Sequence, residues 1–187
     1  MTTVLRSWRV DDADALRAAV AESPDLEAQL PDLPLHDRDG CATAIRTVLA
    51  GQDAPYLNLA IVDDGLAVGN VGISSIDRRH ETAWISYWMT CRLRGRGTTA
   101  KAVASAAEWV YLELDLFRLE LGHRVNNPAS CAVAIRAGFV VEGLERAKLR
   151  YGSQRYDVET HARLRTDRAP ETPLLQLEDI VLPREQG

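Results

Sequence analysis

The stretch from Tyr87 to Ala102, YWMTCRLRGRGTTAKA, joins an apolar strand to a helix through a loop that interleaves Arg92, Arg94 and Arg96 with Gly95 and Gly97. Ala83 to Met89 reads as the strand, and a helical pattern begins immediately after Gly97. Glycine lets backbone pass close to a ligand, and the first amides of a helix lack intrahelical partners. Such a junction offers several N–H donors and a positive dipole end to one phosphate group. Three arginines deepen the positive field. A merely solvated loop is the bland alternative, but strand, arginines, glycines and helix in direct succession favour anion binding.

With 187 residues and 46% hydrophobic content, the chain suffices for one buried domain and is too short for two comfortable ones. The expectation is a domain over residues 1–165 with a tail over 166–187. A net charge of -5 gives no global attraction to nucleic acid or to an anionic membrane, so neither is expected as a partner. A small phosphorylated ligand suits the local arginine cluster better. Cys41, Cys91 and Cys131 form no C-x-x-C, and the histidines are not clustered in sequence. That argues against a disulfide framework or a zinc site, so no metal is expected and a reducing cytoplasm is the natural setting. The first residues, MTTVLRSWRVDD, contain no apolar targeting core, and no stretch is long enough to cross a bilayer. A soluble protein that is not exported is expected.

Along the chain, residues 3 to 10 alternate imperfectly and suggest a strand, with Arg6 breaking the apolar side. Asp11 or Asp12 is placed to cap a helix buried through Leu16, Ala19 and Val20 and stopped by Ser23-Pro24. Pro31 to His36 reads as a loop before a second helix, about Gly40 to Ala50, with Cys41, Ile45, Val48 and Leu49 inward. Leu57 to Val62 and Leu66 to Ile76 form a hairpin around Asp63-Asp64-Gly65. Gly69 and Gly72 within it imply a bulge or a neighbouring ligand. On the next strand Ala83, Ile85, Tyr87 and Met89 share one face, and Trp84, Ser86 and Trp88 the other.

After the glycines, Val103, Ala106, Ala107, Val110 and Leu114 recur at helical spacing, with Lys101, Ser105 and Glu108 opposite. Arg118 to Arg124 then completes a right-handed β-α-β unit with parallel strands. Asn127, Pro128 and Gly138 bound a short helix. Two further strands, Val140 to Arg150 and Arg155 to Leu164, flank the turn Tyr151-Gly-Ser-Gln154. The second reads as one buried face and one wet face, the latter carrying Asp157, Glu159, His161 and Arg163. The tail is expected to be mostly irregular. Its apolar patch, Leu174 to Leu177, points to docking on the domain or to a homodimer.

Arg92-Leu-Arg-Gly95-Arg-Gly97 fits an R-x-x-G-x-G/A signature, Tyr87-Trp88-Met89 is similar to a Y-W-L strand, and Asn127-Pro-Ala-Ser130 with Ala137-Gly138-Phe139 is similar to an N-x-x-S and L-G-F helix. Over about residues 66 to 164 the chain therefore resembles the GCN5-related N-acetyltransferases, in their ribosomal-protein N-terminal (RimJ/RimL-like) branch. The resemblance implies an α/β fold, a mixed and mostly antiparallel central sheet with a splayed parallel strand pair and helices on both faces. It implies acetyl-CoA as cofactor and transfer of its acetyl group to a primary amine, of a protein N-terminus or a small molecule. Trp88, Met89, Arg94, Gly95, Arg96, Gly97, Thr98, Thr99, Asn127 and Ser130 would then bind the cofactor. Ser130 would lie beside the sulfur as the catalytic candidate, and a backbone amide near Met89 would serve the oxyanion.

Where many relatives carry a base, a Glu on the central strand, this sequence has Trp84. Glu81, Glu120, His80 and His123 are the nearby titratable candidates, and Trp84, Glu81 and His123 are the expected acceptor-side residues. A weak-base site favours a terminal α-amine, with pKa near ~8, over an aliphatic amine near ~10. Two other readings stand beside this one. Gly95-x-Gly97-x-x-Ala100 also fits a loose dinucleotide fingerprint, which would make the chain an NAD-binding oxidoreductase. The third is an acyl-CoA-binding regulator that has lost turnover.

Overall fold

Alternating side chains give the central strands two apolar faces, and each face needs its own cover. The computed structural model describes residues 2–26, 30, 33–51 and 56–182. Its strands are β1 (Thr3–Ser7), β2 (Leu57–Asp63), β3 (Leu66–Asp77), β4 (Thr82–Met89), β5 (Arg118–Arg124), β6 (Val140–Tyr151), β7 (Gln154–Leu164) and β8 (Gln176–Glu178). They lie in one sheet in the order β6-β7-β5-β4-β3-β2-β1-β8. Helices α1 (Ala13–Glu22) and α2 (Arg38–Ala44) cover one face, packing Leu16, Ala19, Cys41 and Ile45 on Val4, Ala60, Val62 and Trp88. Helices α3 (Thr98–Glu113) and α4 (Pro128–Arg136) cover the other, where Val103, Ala106, Val110 and Ala134 meet Leu59, Ile61, Val71, Ile85 and Leu119.

Pairing is antiparallel except between β4 and β5 and between β1 and β8. The mixed α/β sheet with its one β-α-β crossover is the expected architecture. It lacks the repeated crossovers of a doubly wound domain, and the dinucleotide reading finds no support. No described helix is long and apolar enough to cross a membrane.

The hairpin glycines have a packing reason. The β2–β3 register shifts so that Ile61 faces Gly69 and Val62 faces Ala67, leaving Val68 as the extra residue of a bulge. A Cβ at Gly69 would lie 2.6 Å from the Trp88 carbonyl oxygen. Only a residue without one lets β3 and β4 approach there.

Several local expectations fail, each because tertiary cover overrides the pattern. Ser105 is buried, since the tail crosses the outer side of α3 and the Leu175 N–H donates to Ser105 Oγ at 2.7 Å. The tail is not wholly irregular: β8 pairs in parallel with β1, and Leu175, Leu177 and Ile180 pack on the α3 side of the core. The supposed wet face of β7 is closed over its second half, where His161 and Arg163 lie beneath α3 and α4. Arg163 is held there by Glu108, the Ala137 carbonyl at 3.3 Å and the face of the Tyr111 ring, although its buried Nε–H has no hydrogen-bond partner among the described residues. α2 gives way to a wide π turn over Ile45–Leu49 instead of continuing as a regular helix. Pro31 and Asp32, the start of the expected proline loop, lie outside the described residues.

β1 ends at Ser7, and Arg6, the residue that broke its pattern, is buried. Its guanidinium makes two 2.7 Å hydrogen bonds to the Asp12 carboxylate, which also accepts the Arg9 N–H at 2.9 Å. Asp12 thus stands at the start of α1 but spends its side chain on β1 instead of the helix amides. Breaking one half of a buried pair leaves the other charge without compensation. Asp12→Ala is expected to cost about 3–5 kcal/mol in urea unfolding. A loss below about 1 kcal/mol would mean that the pair behaves as a surface pair.

Candidate active site

β4 and β5 pair only through Thr82 with Arg118, Ala83 with Leu119 and Trp84 with Glu120. Beyond Trp84 each strand stays in the sheet through its outer neighbour. β4 remains paired with β3 to Met89, and β5 with β7 to Arg124. The facing edges therefore part, leaving the inner backbone of Ile85 to Met89 without a strand partner. One side chain crosses this gap on the α3/α4 side: the Tyr87 hydroxyl donates to the Ser130 carbonyl at 3.0 Å. Burial pushes the Tyr87 pKa up to about 12, so it stays a neutral donor across the physiological range.

At the mouth of the gap the chain leaves β4 through a tight turn, Cys91–Leu93, and enters α3 through two left-handed glycines, Gly95 at φ 78° and Gly97 at φ 79°. No atom lies within 4 Å of a Cβ built at either, so the backbone there faces open space. The Lys101 N–H reaches back to the Gly97 carbonyl. The amides of Thr98, Thr99 and Ala100 come before the first full α-helical bond and point out of the helix end. Sixteen residues of α3 align their dipoles behind this cluster.

The arginines divide their work differently from the sequence reading. Arg92 pairs with Glu22 at 3.1 Å. Arg94, expected at the cofactor, bonds Asp25 at 2.9 and 3.0 Å and donates Nε–H to the Met89 carbonyl at 2.9 Å. The Cys91 N–H adds a bond to Ser23 Oγ at 2.9 Å, and Thr90 Oγ1 donates to Glu22 at 3.1 Å. These contacts fasten the loop to the end of α1. A cleft of about 230 Å³ borders this clamp through Glu22, Thr90 and Arg92. Arg96 is exposed and forms no ion pair among the described residues.

On the β5 side, Asn127 caps α4, its Oδ1 accepting the Ser130 N–H at 3.2 Å. Its Nδ2 donates to Ser130 Oγ at 3.2 Å. Ser130 Oγ thereby acts as acceptor and keeps its own proton for another partner. Trp88 and Met89 are buried on opposite faces, Trp88 at 6.0 Å from the Trp8 ring. What they present to the gap is backbone. Trp84 is half-buried on the α1/α2 face, where Gly122 leaves room for its ring and Lys148 Nζ lies 5.4 Å from the ring centroid.

Of the expected base and acceptor residues, only His123 stands at the open end. Glu81 and His80 belong to the turn before β4, at the closed end, where the Glu81 carbonyl accepts the Phe117 and Arg118 amides. Glu120 is bound to Arg118 at 2.6 Å. His123 is buried and turned toward His161, Glu159 and Cys131, so two of the four histidines, separate in sequence, meet in space. The sequence reading missed Tyr87 as a bridge, although its shared face with Met89 pointed it at α4. It missed Glu22 and Asp25 because no local pattern links them to a loop almost seventy residues away.

The family model described as an acetyltransferase (GNAT) domain matches residues 3–140. The ribosomal-protein-serine acetyltransferase of Escherichia coli (strain K12) is 29% identical over 97 residues, covering 52% of this chain and 54% of that one. The chain thus spans about half the length of this curated relative. Among solved structures, a ribosomal-protein-S5-alanine acetyltransferase from Vibrio fischeri superposes with a TM-score of 0.76 at 19% identity, covering 87% of this chain and 93% of that one. The RimL ribosomal L7/L12 alpha-N-protein acetyltransferase in complex with coenzyme A gives a TM-score of 0.75 at 23% identity, covering 88% and 94%. Family match and fold agree with the parted strands and the glycine-bounded helix end: the chain belongs to the GNAT acetyltransferase family.

Proposed function

We propose that the protein moves the acetyl group of acetyl-CoA to a primary amine, preferably the terminal α-amine of a peptide or protein. One observation carries the reading. The gap between β4 and β5 has the open amides of a helix start, Thr98 to Ala100, at its mouth and a hydroxyl with an uncommitted proton, Ser130, at the other side. The named targets of the relatives, ribosomal proteins, lend the acceptor class its support.

Bound acetyl-CoA supplies a thioester carbon that an uncharged amine attacks while the thiolate departs. The α3 amides and Arg96 would hold the diphosphate, and the unpaired edge of β4 would hydrogen-bond the amide-bearing arm. Ser130 Oγ–H would donate to the sulfur as negative charge builds there, held in place by Asn127 and, through its carbonyl, by Tyr87. The amine gives up one proton and the sulfur gains one, so the exchange balances. With Trp84 where a carboxylate is absent, the acceptor must arrive largely neutral. At pH 7 a terminal α-amine has roughly a few hundred times the neutral fraction of a lysine side chain. A reducing cytoplasm, in which Cys41, Cys91 and Cys131 remain free thiols, is the setting this reading implies.

A thiol-release assay over an amine panel tests the assignment. Peptides with free N-termini should react well ahead of the same peptides with blocked termini and an internal lysine. Preference for lysine would overturn the acceptor class, and acetyl-CoA binding without any transfer would make the protein a regulator.

Gly97→Arg should abolish acetyl-CoA binding in calorimetry, because the residue must hold φ 79° and its side chain would crowd the amides. Unchanged affinity would remove the loop from the site. Ser130→Ala should lower kcat by about 100-fold with little change in the KM for acetyl-CoA. Equal turnover would reduce Ser130 to a helix-capping role.

A further inference from the structure

Beneath α4, beside the gap but outside the acetyl-transfer machinery, four donor groups converge. The β5–β7 register sets His123 opposite Glu159 and Leu121 opposite His161, and Cys131 comes down from α4 onto the same face. His123 Nε2 lies 2.9 Å from His161 Nε2. Glu159 Oε1 is 3.1 Å from His161 Nε2, 3.4 Å from His123 Nε2 and 3.5 Å from Cys131 Sγ. All four donor atoms fall within 4.8 Å of one another. His123 and His161 are 7% and 1% exposed, so water does not screen the cluster.

The ring contacts set which nitrogens can face a cation. His123 Nδ1 is 3.1 Å from the Arg124 carbonyl, an acceptor, so that nitrogen carries the proton and Nε2 presents its lone pair. With its proton on Nε2, His161 can donate to His123 Nε2 and Glu159 Oε1, while its Nδ1 is buried without a hydrogen-bond partner. Burial holds the His161 pKa below the ordinary imidazole value, so the ring is neutral, and the tautomer with its proton on Nδ1 turns two bare ring nitrogens and a carboxylate oxygen toward one spot. A cation at that spot would take the place of the one His161 proton and draw in Cys131 as a fourth donor. We propose that His123, Cys131, Glu159 and His161 bind a divalent cation of the zinc class.

The donor set of two imidazoles, a thiolate and a carboxylate suits zinc, and four protein ligands make a closed, structural site. With usual zinc bond lengths, a tetrahedron has edges of about 3.3–3.7 Å. The observed separations need only small side-chain shifts to reach it. Entry is through Glu159, whose side chain keeps 30% of its exposure. Binding displaces the Cys131 proton, which burial and Glu159 hold more tightly than usual, so metal affinity should fall as pH falls. The cation would tie α4 to β5 and β7 one residue from Ser130.

The test uses the full chain without an affinity tag, stripped with chelator and titrated with Zn(II) and Co(II). Expected are one equivalent bound, a thiolate-to-cobalt charge-transfer band that persists in Cys91→Ser, and two paramagnetically shifted, exchangeable imidazole N–H protons. Cys131→Ser and His161→Gln should each weaken Zn(II) binding by on the order of 100-fold or more, since even ligand-orienting groups contribute 10–100-fold. No binding by the wild type, or a cobalt spectrum lacking the thiolate band or the two imidazoles, overturns the site. Equal Zn(II) affinity in folded Cys131→Ser also overturns it. Should a variant not fold, the wild-type cobalt spectrum decides alone. Because these readouts need no acetyl donor, they stand apart from the test of acetyl transfer.

Discussion

The separation of β4 from β5 after three residue pairs is the constraint on which the remaining structure rests. An edge with free N–H and C=O groups inside a sheet is costly unless something satisfies it. The fold meets that cost by anchoring each strand on its far side, β4 to β3 and β5 to β7, so that the opening is rigid without being closed. Everything with chemical potential stands at its rim. The helix end formed by Gly97 lies after β4, and the cap formed by Asn127 lies after β5.

The rim is held by contacts that are themselves not catalytic. Glu22, Ser23 and Asp25 bind Thr90, Cys91, Arg92 and Arg94, so the loop has a fixed shape before any anion arrives. Preorganisation of this kind keeps amide donors aimed without an ordering cost at binding. The same economy of roles appears at Tyr87. Its phenol spends its proton on a helix carbonyl across the opening, and so sets how far α4 stands from β4.

Much of this was legible in sequence. The face assignment of β4, the bulge implied by Gly69, and the bounds of α4 between Asn127 and Gly138 follow from periodicity and from local turn chemistry. Those rules act within a few residues, and the structure obeys them. What stayed hidden depends on distant cover. Ser105 reads as solvent-facing until Leu175 crosses it, and His161 and Arg163 read as wet until α4 is laid over them. The arginines show the same limit, because charge near a glycine loop does not reveal which carboxylate from α1 will claim it.

The sheet's two margins carry a further consequence. On one side the last strand is β8, only three residues long; on the other, β6 is interrupted by register shifts near Val141 and near Glu145, with Ala147 at φ 52°. A three-residue border and a kinked one studded with Glu142, Arg146 and Lys148 are poor templates for another chain's backbone. Growth by continuous hydrogen bonding from molecule to molecule is therefore disfavoured at both ends.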